Sequence, residues 1–241
     1  MKQQIPNFIT LLNLLSGCIA VVFAVLNTLE MAALFVFLGI FFDFLDGLAA
    51  RLLNVQSAIG VQLDSLADMV TSGLVPGIVM FQLLNMSQPS GWNVGFFGND
   101  LTLLPFFGFV ITLGSAYRLA KFNIDENQVS SFIGLPTPAN ALLILSLPLI
   151  LLYHSNDTLN GIILNQWFLF VITILSAILL NANIELFALK FKNWQFKGNE
   201  VRYLFLIGSL VLLLTLKFLA VPVIIGTYVL MSFLSKTRGV N

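Results

Sequence analysis

The sequence predicts an all-α, polytopic integral membrane protein with about eight transmembrane helices. Three observations predict it. Of the 241 residues, 58% are hydrophobic and only 9% are charged, against roughly 25% charged in a soluble domain. The apolar residues are gathered into stretches of about the ~20 residues that cross a bilayer core. The basic residues collect at alternate ends of those stretches, as in a chain threaded back and forth through a membrane. No stretch is polar enough for a soluble domain, so residues 1–241 are expected to form a single transmembrane unit.

Taken in order, Pro6 in Ile5-Pro6-Asn7 suits the first turn of a helix, and the first span is expected over 8–27. It has one lysine before it, polar residues within it and no clear cleavage site, so it is expected to be retained rather than removed as a signal. Further spans are expected at 31–53, 58–84, 101–121, 138–154, 162–180, 201–217 and 219–235. The connections at 28–30 and 217–219 are very short, and Pro222 lies close enough to the second that the last pair also fits a kinked or re-entrant hairpin. Placing the N-terminus inside puts ten of the eleven basic residues at inside ends or loops and leaves only Lys217 outside. The inside stretch 181–200 carries Lys190, Lys192, Lys197 and Trp194, which suits either contact with anionic headgroups or a solvated linker. Net charge is zero, which gives no general attraction to nucleic acid. Cys18 is the only cysteine, so no internal disulfide forms.

The chemistry concentrates between Asp43 and Asp68. Four aspartates stand in 26 otherwise mostly apolar residues, and a carboxylate at membrane depth is costly unless paired or wet. Asp43 and Asp46 are three apart and share a helix face, as do Asp64 and Asp68, four apart. Two helices joined near 53–57 would aim all four at one place. Their mutual repulsion calls for protons or cations, and two divalent ions would neutralise the set.

Written as spacing, the stretch is D-x2-D-G-x2-A-R-x8-G-x3-D-x3-D, with Asp43, Asp46, Gly47, Ala50, Arg51, Gly60, Asp64 and Asp68 at the specified places. This resembles the signature of the CDP-alcohol phosphatidyltransferases at every specified position. Pro6-Asn7-Phe8-Ile9-Thr10 resembles the P-N-x-x-T element common in that family. Tyr117–Asn123 and Phe132–Ala139 resemble the R-L-A-R-F-N and F-x-G-L-P-x-P-A blocks of its serine-accepting subgroup, with Lys121 replacing the second arginine. Asp68-Met69-Val70-Thr71-Ser72-Gly73 resembles that subgroup too, with Thr71-Ser72 in place of Ser-Phe. Eight spans also fit it, as a six-helix family core plus two C-terminal helices.

The resemblance implies transfer of a phosphatidyl group from CDP-diacylglycerol to an alcohol, here L-serine, with release of CMP. It implies two divalent cations, Mg²⁺ or Mn²⁺, held by Asp43, Asp46, Asp64 and Asp68, with Asp68 also the general base. Nucleotide and diphosphate contacts fall to Asn7, Thr10, Asp46, Gly47, Ala50, Arg51 and Gly60. Gly47, Ala50 and Gly60 are small where a nucleotide must pass close to the backbone, although Gly60 also suits close helix packing. Arg51 suits a phosphate or a neighbouring acid. Serine brings a carboxylate, for which Arg118 is the first choice and Lys121 the second, against the plainer role of inside anchoring; Asn123 is a weaker candidate. His154 is expected on the outer surface, away from the acids. A homodimer, a bacterial inner-membrane location and an active site facing the cytoplasm are expected, with single displacement rather than a phosphatidyl-aspartate. The alternatives are a sister enzyme using glycerol 3-phosphate or an inositol phosphate, and a cation transporter with an acidic site.

Overall fold

The computed structural model describes residues 4–55, 57–88, 103–124, 132–154, 156–186 and 199–237. Helices α1 (Gln4–Val25) and α2 (Leu29–Leu52) form an antiparallel pair. The buried positions of α1 include Pro6, Thr10, Asn13, Gly17, Ala20 and Ala24, alternating by four and three residues. Small side chains at that spacing make a narrow stripe along which two helices approach closely. It meets Ala32, Ala33, Val36, Gly39 and Asp46 of α2. Between the two, Asn27 takes a left-handed φ of 57°, which Asn tolerates better than most residues.

A second turn at Leu53–Val55 leads to α3 (Ala58–Asp68), whose first turn is capped by Ser57 accepting from the Gly60 amide at 3.0 Å. The helix continues without a break through a π turn, Met69–Leu74, into α4 (Val75–Met86). Pro76 has no amide for the regular bond to Ser72, and its ring crowds that carbonyl; the π turn lies where this crowding falls.

A 3₁₀ turn, Leu104–Phe109, leads into α5 (Val110–Ile124), which runs antiparallel to α3 and α4: Phe81 meets Phe106 at 5.2 Å, Thr112 bonds to Gly73, and Ser65 bonds to Asn123. The apolar α6 (Thr137–Tyr153) follows, and then α7 (Asp157–Ile163) and α8 (Gln166–Asn181), bent by 57° from one another. The sixth span was expected to begin at 162. It begins at Gln166 because Asn165 caps α8, accepting from the amides of Trp167 and Phe168. Helix α8 runs parallel to α5, with Phe107 on Phe170 at 4.9 Å and Asn181 donating to the Gly114 carbonyl.

The architecture is all-helical apart from a two-residue antiparallel pair, β1 (Phe132–Ile133) with β2 (Glu185–Leu186). Next to it Gly134 takes φ +74°, and a Cβ there would stand 2.6 Å from the Leu180 carbonyl. The amides of Gly134 and Leu135 reach the carbonyls of Ile184 and Leu179. The Gly134-Leu135-Pro136 segment thereby docks on the C-terminal end of α8, using a carbonyl that a helix end leaves unpaired.

The last pair is a hairpin. α9 (Glu200–Leu216) and α10 (Ala220–Thr237) reverse at Lys217, whose φ is 49°, and Phe205 meets Tyr228 at 5.6 Å. No residue of α9 is buried, and its large apolar side chains face outward, as lipid contact requires. Helix occurs at each of the eight expected positions, and several stretches are long and apolar enough to cross a bilayer. The protein is thus a multi-pass membrane protein. The basic loop with Lys190, Lys192, Trp194 and Lys197 lies outside the described residues.

Candidate active site

Helix ends gather at one pole of the bundle. Asn7 of α1 meets Gly60 of α3, Ser65 of α3 meets Asn123 of α5, and Lys121 of α5 meets Asn183 beyond α8. The N-termini of α1 and α3 therefore share a pole with the C-termini of α2, α5 and α8. At the opposite pole Tyr153 hydrogen-bonds to Glu30 and stacks on Phe218, beside Lys217. His154, at the C-terminus of α6, is at that opposite pole.

Asp43 and Asp46 stand on the last turns of α2 and Asp64 on α3. One carboxylate oxygen from each lies within 4.8 Å of the others. At an effective dielectric of about 20, each pair of charges at that separation repels by about 3 kcal/mol. Asp46 is buried, and the Asp64 Oδ1 atom is buried with no hydrogen-bond partner. Three acids from two helices, one with an orphaned oxygen, make a donor set suited to a divalent cation.

The Thr10 hydroxyl is within reach of Asp46 Oδ2 at 2.6 Å and of the Pro6 carbonyl at 3.1 Å. It has one proton, and the shorter contact is the one to the carboxylate. Thr10 is buried, so this bond fixes the orientation of Asp46.

Next to the acids is a cavity of about 430 Å³, walled by α1, the end of α2 and the start of α3. All seven residues expected at the nucleotide line it: Asn7, Thr10, Asp46, Gly47, Ala50, Arg51 and Gly60. Asp64 and Ser57 line it too. A Cβ on Gly47 would meet no atom within 4 Å, whereas one on Gly60 would stand 3.0 Å from Ser57 Oγ and 3.1 Å from Asn7 Oδ1. Gly60 thus lets α1 approach α3 closely, and it stands in the cavity wall. Arg51 is exposed at the cavity edge, where its Nε donates to the Gly47 carbonyl at 3.0 Å.

Asp68, one turn beyond Asp64, stands outside the three-acid group and does not line the cavity. Its Oδ1 accepts from Asn13 Nδ2 at 3.2 Å. Arg118 and Lys121 do not line the cavity either. Interpolating between the Ser65–Asn123 and Gly73–Ser115 contacts puts Arg118 level with Asp68–Val70, half-buried on α5. Lys121 is exposed and reaches Asn183 Oδ1 at 3.4 Å. Asn123 spends its amide on tying α5 to α3, accepting from Ser65 and donating to Gln62. Residue-level reading of the sequence missed Asn13, although a polar residue on the small-residue face of α1, three after Thr10, was a visible signal. It also missed Ser57, whose place before a helix start was another.

The comparisons agree with this geometry. Residues 3–179 match the family model described as CDP-alcohol phosphatidyltransferase. A Helicobacter pylori (strain 26695) protein named CDP-diacylglycerol--serine O-phosphatidyltransferase is 32% identical over 227 residues, covering 93% of this chain and 87% of that protein. A Bacillus subtilis protein of the same name is 36% identical over 140 residues, 56% of this chain and 70% of its own. A Saccharomyces cerevisiae protein, again of that name, is 36% identical over 160 residues, 60% of this chain and 53% of its own. The chain belongs to the CDP-alcohol phosphatidyltransferase family and is an enzyme, which leaves the transporter alternative without support. The matched region stops at the end of α8, so α9 and α10 lie beyond the family core.

Proposed function

We propose that the protein transfers the phosphatidyl group of CDP-diacylglycerol to L-serine, forming phosphatidylserine and CMP by a single displacement. The observation that carries this reading is the cavity whose wall holds every expected nucleotide contact and whose floor includes Asp46 and Asp64. The names of the relatives point to serine as the acceptor.

Asp43, Asp46 and Asp64 would hold divalent cations, Mg²⁺ or Mn²⁺, with Asp68 completing a two-ion set. Bound cations would neutralise the diphosphate and the departing CMP. The remaining tasks fall to the chain itself. Gly47 and Ala50 leave room for the nucleotide, Asn7 and Thr10 border it, and Arg51 reaches a phosphate from the cavity edge. Asp68 takes the proton of the acceptor hydroxyl as that oxygen bonds to phosphorus and the bond to CMP breaks. Arg118 binds the serine carboxylate, supported by Lys121. Among the described residues, Arg51, Arg118 and Lys121 share the site's pole while Lys217 marks the other, which supports a cytoplasm-facing site. We place the enzyme in the bacterial inner membrane, as one catalytic transmembrane domain and as a homodimer.

The test supplies CDP-diacylglycerol and Mn²⁺ or Mg²⁺ to purified, detergent-solubilised protein. Separate reactions contain L-serine, glycerol 3-phosphate or an inositol phosphate, and CMP release is followed. Release with serine alone, abolished by EDTA and by Asp68→Asn, is expected. Release only with a phosphorylated acceptor would discard the serine assignment and keep the family.

A further inference from the structure

Asn13 is fully buried in the middle of α1, among the small residues that pack on α2. Its carboxamide has two neighbours. Nδ2 donates to Asp68 Oδ1 at 3.2 Å, and Oδ1 accepts from the Thr71 hydroxyl at 2.9 Å. The Thr71 hydroxyl also lies 3.2 Å from the Asn13 main-chain carbonyl, and its shorter contact is the one to Oδ1. The flipped amide would set its oxygen against the Asp68 carboxylate oxygen, which favours Nδ2 facing Asp68. Thr71 is itself fully buried, in the π turn just past Asp68. It reaches Asn13 only because two helices lack side chains there. A Cβ on Gly39 would stand 2.6 Å from Thr71 Cγ2 and 2.8 Å from Asn13 Oδ1, and one on Gly17 would stand 3.1 Å from the Thr71 backbone. Three helices thus close around a single amide whose outward bond goes to Asp68.

We propose that Asn13 is a positioning residue for Asp68: the Thr71 hydroxyl sets the direction of the Asn13 amide, and the amide holds one oxygen of the Asp68 carboxylate in place. The other oxygen, Oδ2, is then presented in a fixed direction, while Asn13 itself is fully buried and does not line the cavity. The inference rests on the role given to Asp68 above.

The experiment compares Asn13→Leu, Thr71→Val, Thr71→Ser and the double variant Asn13→Leu/Thr71→Val with the unaltered protein, all solubilised and full length. Two quantities are read. One is kcat and KM for CMP release. The other is the Mn²⁺ concentration giving half of the thermal stabilisation seen with Mn²⁺ and CMP, which needs no turnover. Asn13→Leu is expected to lower kcat about 10–100-fold and to raise that Mn²⁺ concentration, with KM for CDP-diacylglycerol little changed. Thr71→Val is expected to lower kcat by roughly 2–10-fold, the worth of one neutral hydrogen bond, and Thr71→Ser to restore it. The double variant should equal Asn13→Leu, since Thr71 acts only through Asn13.

Multiplying effects in the double variant, or no rescue by Thr71→Ser, would overturn the proposal. So would a lowered melting temperature with unchanged kcat and Mn²⁺ requirement. An Asp68→Asn protein that kept full activity would instead remove the role of Asp68, and with it the reason for positioning.

Discussion

Replacing Thr10 by Val isolates one bond of the site. The side chain keeps nearly its shape and loses the hydroxyl that donates to Asp46 at 2.6 Å. Both residues are largely buried, with only their cavity-facing edges open to water. A hydrogen bond to a charged group is worth about 1.5–3 kcal/mol, which corresponds to roughly 10–150-fold in a binding constant. If Thr10 holds Asp46 as a ligand, that factor falls on the cation. The Mn²⁺ concentration for half-maximal CMP release should rise by about one to two orders of magnitude, and Thr10→Ser should largely restore it. The assay is CMP release against Mn²⁺ at saturating CDP-diacylglycerol, beside the melting temperature in EDTA. If Thr10 instead contacts the nucleotide directly, KM for CDP-diacylglycerol rises and the Mn²⁺ requirement stays put. That pattern would refute the argument from the single hydroxyl proton.

Gly47→Ala and Gly60→Ala form a contrasting pair. Gly47→Ala meets nothing and should fold at least as stably, gaining up to ~1 kcal/mol of helix propensity, yet raise KM for CDP-diacylglycerol by crowding the cavity. Gly60→Ala presses on Ser57 and Asn7 and should cost about 1–3 kcal/mol, a melting shift of roughly 2–4 °C per kcal/mol. Equal melting curves for the two variants would contradict the packing. For sidedness, Val55→Cys and Ser87→Cys at opposite ends of α3–α4, on a Cys18→Ala background, are treated with a membrane-impermeant maleimide in intact cells; only Ser87→Cys should label before permeabilisation. Labelling of Val55→Cys first would invert the topology. Asp43→Asn removes two of the three carboxylate pairs, each repelling by about 3 kcal/mol when both members are charged, before screening of this half-buried group is discounted. Without metal a bound proton relieves that repulsion, so the gain is read at a pH where the proton is lost. A gain of at least ~1 kcal/mol, roughly 2–4 °C, is expected for the metal-free protein together with loss of turnover. An unchanged or lower melting temperature in EDTA would show that the carboxylates do not strain the fold.

The acids were legible because their chemistry is local. Helical periodicity alone puts Asp43 with Asp46 and Asp64 with Asp68, and a short turn between α2 and α3 brings Asp64 to the first pair, with Asp68 one turn beyond. Helix at the expected positions was legible for a similar reason, since each is a run of apolar residues. What escaped depends on contacts distant in the chain. Asn13 reaches Asp68 across 55 residues, and Thr71 meets Asn13 across 58, through gaps left by Gly17 on α1 and Gly39 on α2. No periodicity encodes such a meeting. The break before α8 was missed because Asn165 sits among apolar residues that continue the hydropathy signal on both sides. The F-x-G-L-P block resembled a signature of acceptor choice. In the fold, Gly134 has a local structural duty, docking the start of α6 on the end of α8 at a φ that a side chain would strain.

That duty bears on how acceptor recognition is built. Helix α8 packs beside α5, which carries Arg118 and Lys121, and Lys121 reaches Asn183 in the segment after α8. Gly134 and Leu135 bond to the backbone between Leu179 and Ile184 in that same region. The two blocks that resemble the serine-accepting subgroup, far apart in sequence, therefore converge on the C-terminal end of α8. One supplies the cations and the other holds the neighbouring backbone in place. On the proposed role of Arg118, a substitution at Gly134 would alter acceptor use by shifting the backbone beside α5. The three acids are held by α1, α2 and α3 through the small-residue stripe, the Thr10–Asp46 bond and the Asn7–Gly60 approach, and α3 is tied in turn to α5 by Asn123, which bonds to Ser65 and Gln62. If Arg118 and Lys121 bind the acceptor as proposed, substitutions on the α5–α8 side change acceptor use more than they change the Mn²⁺ requirement.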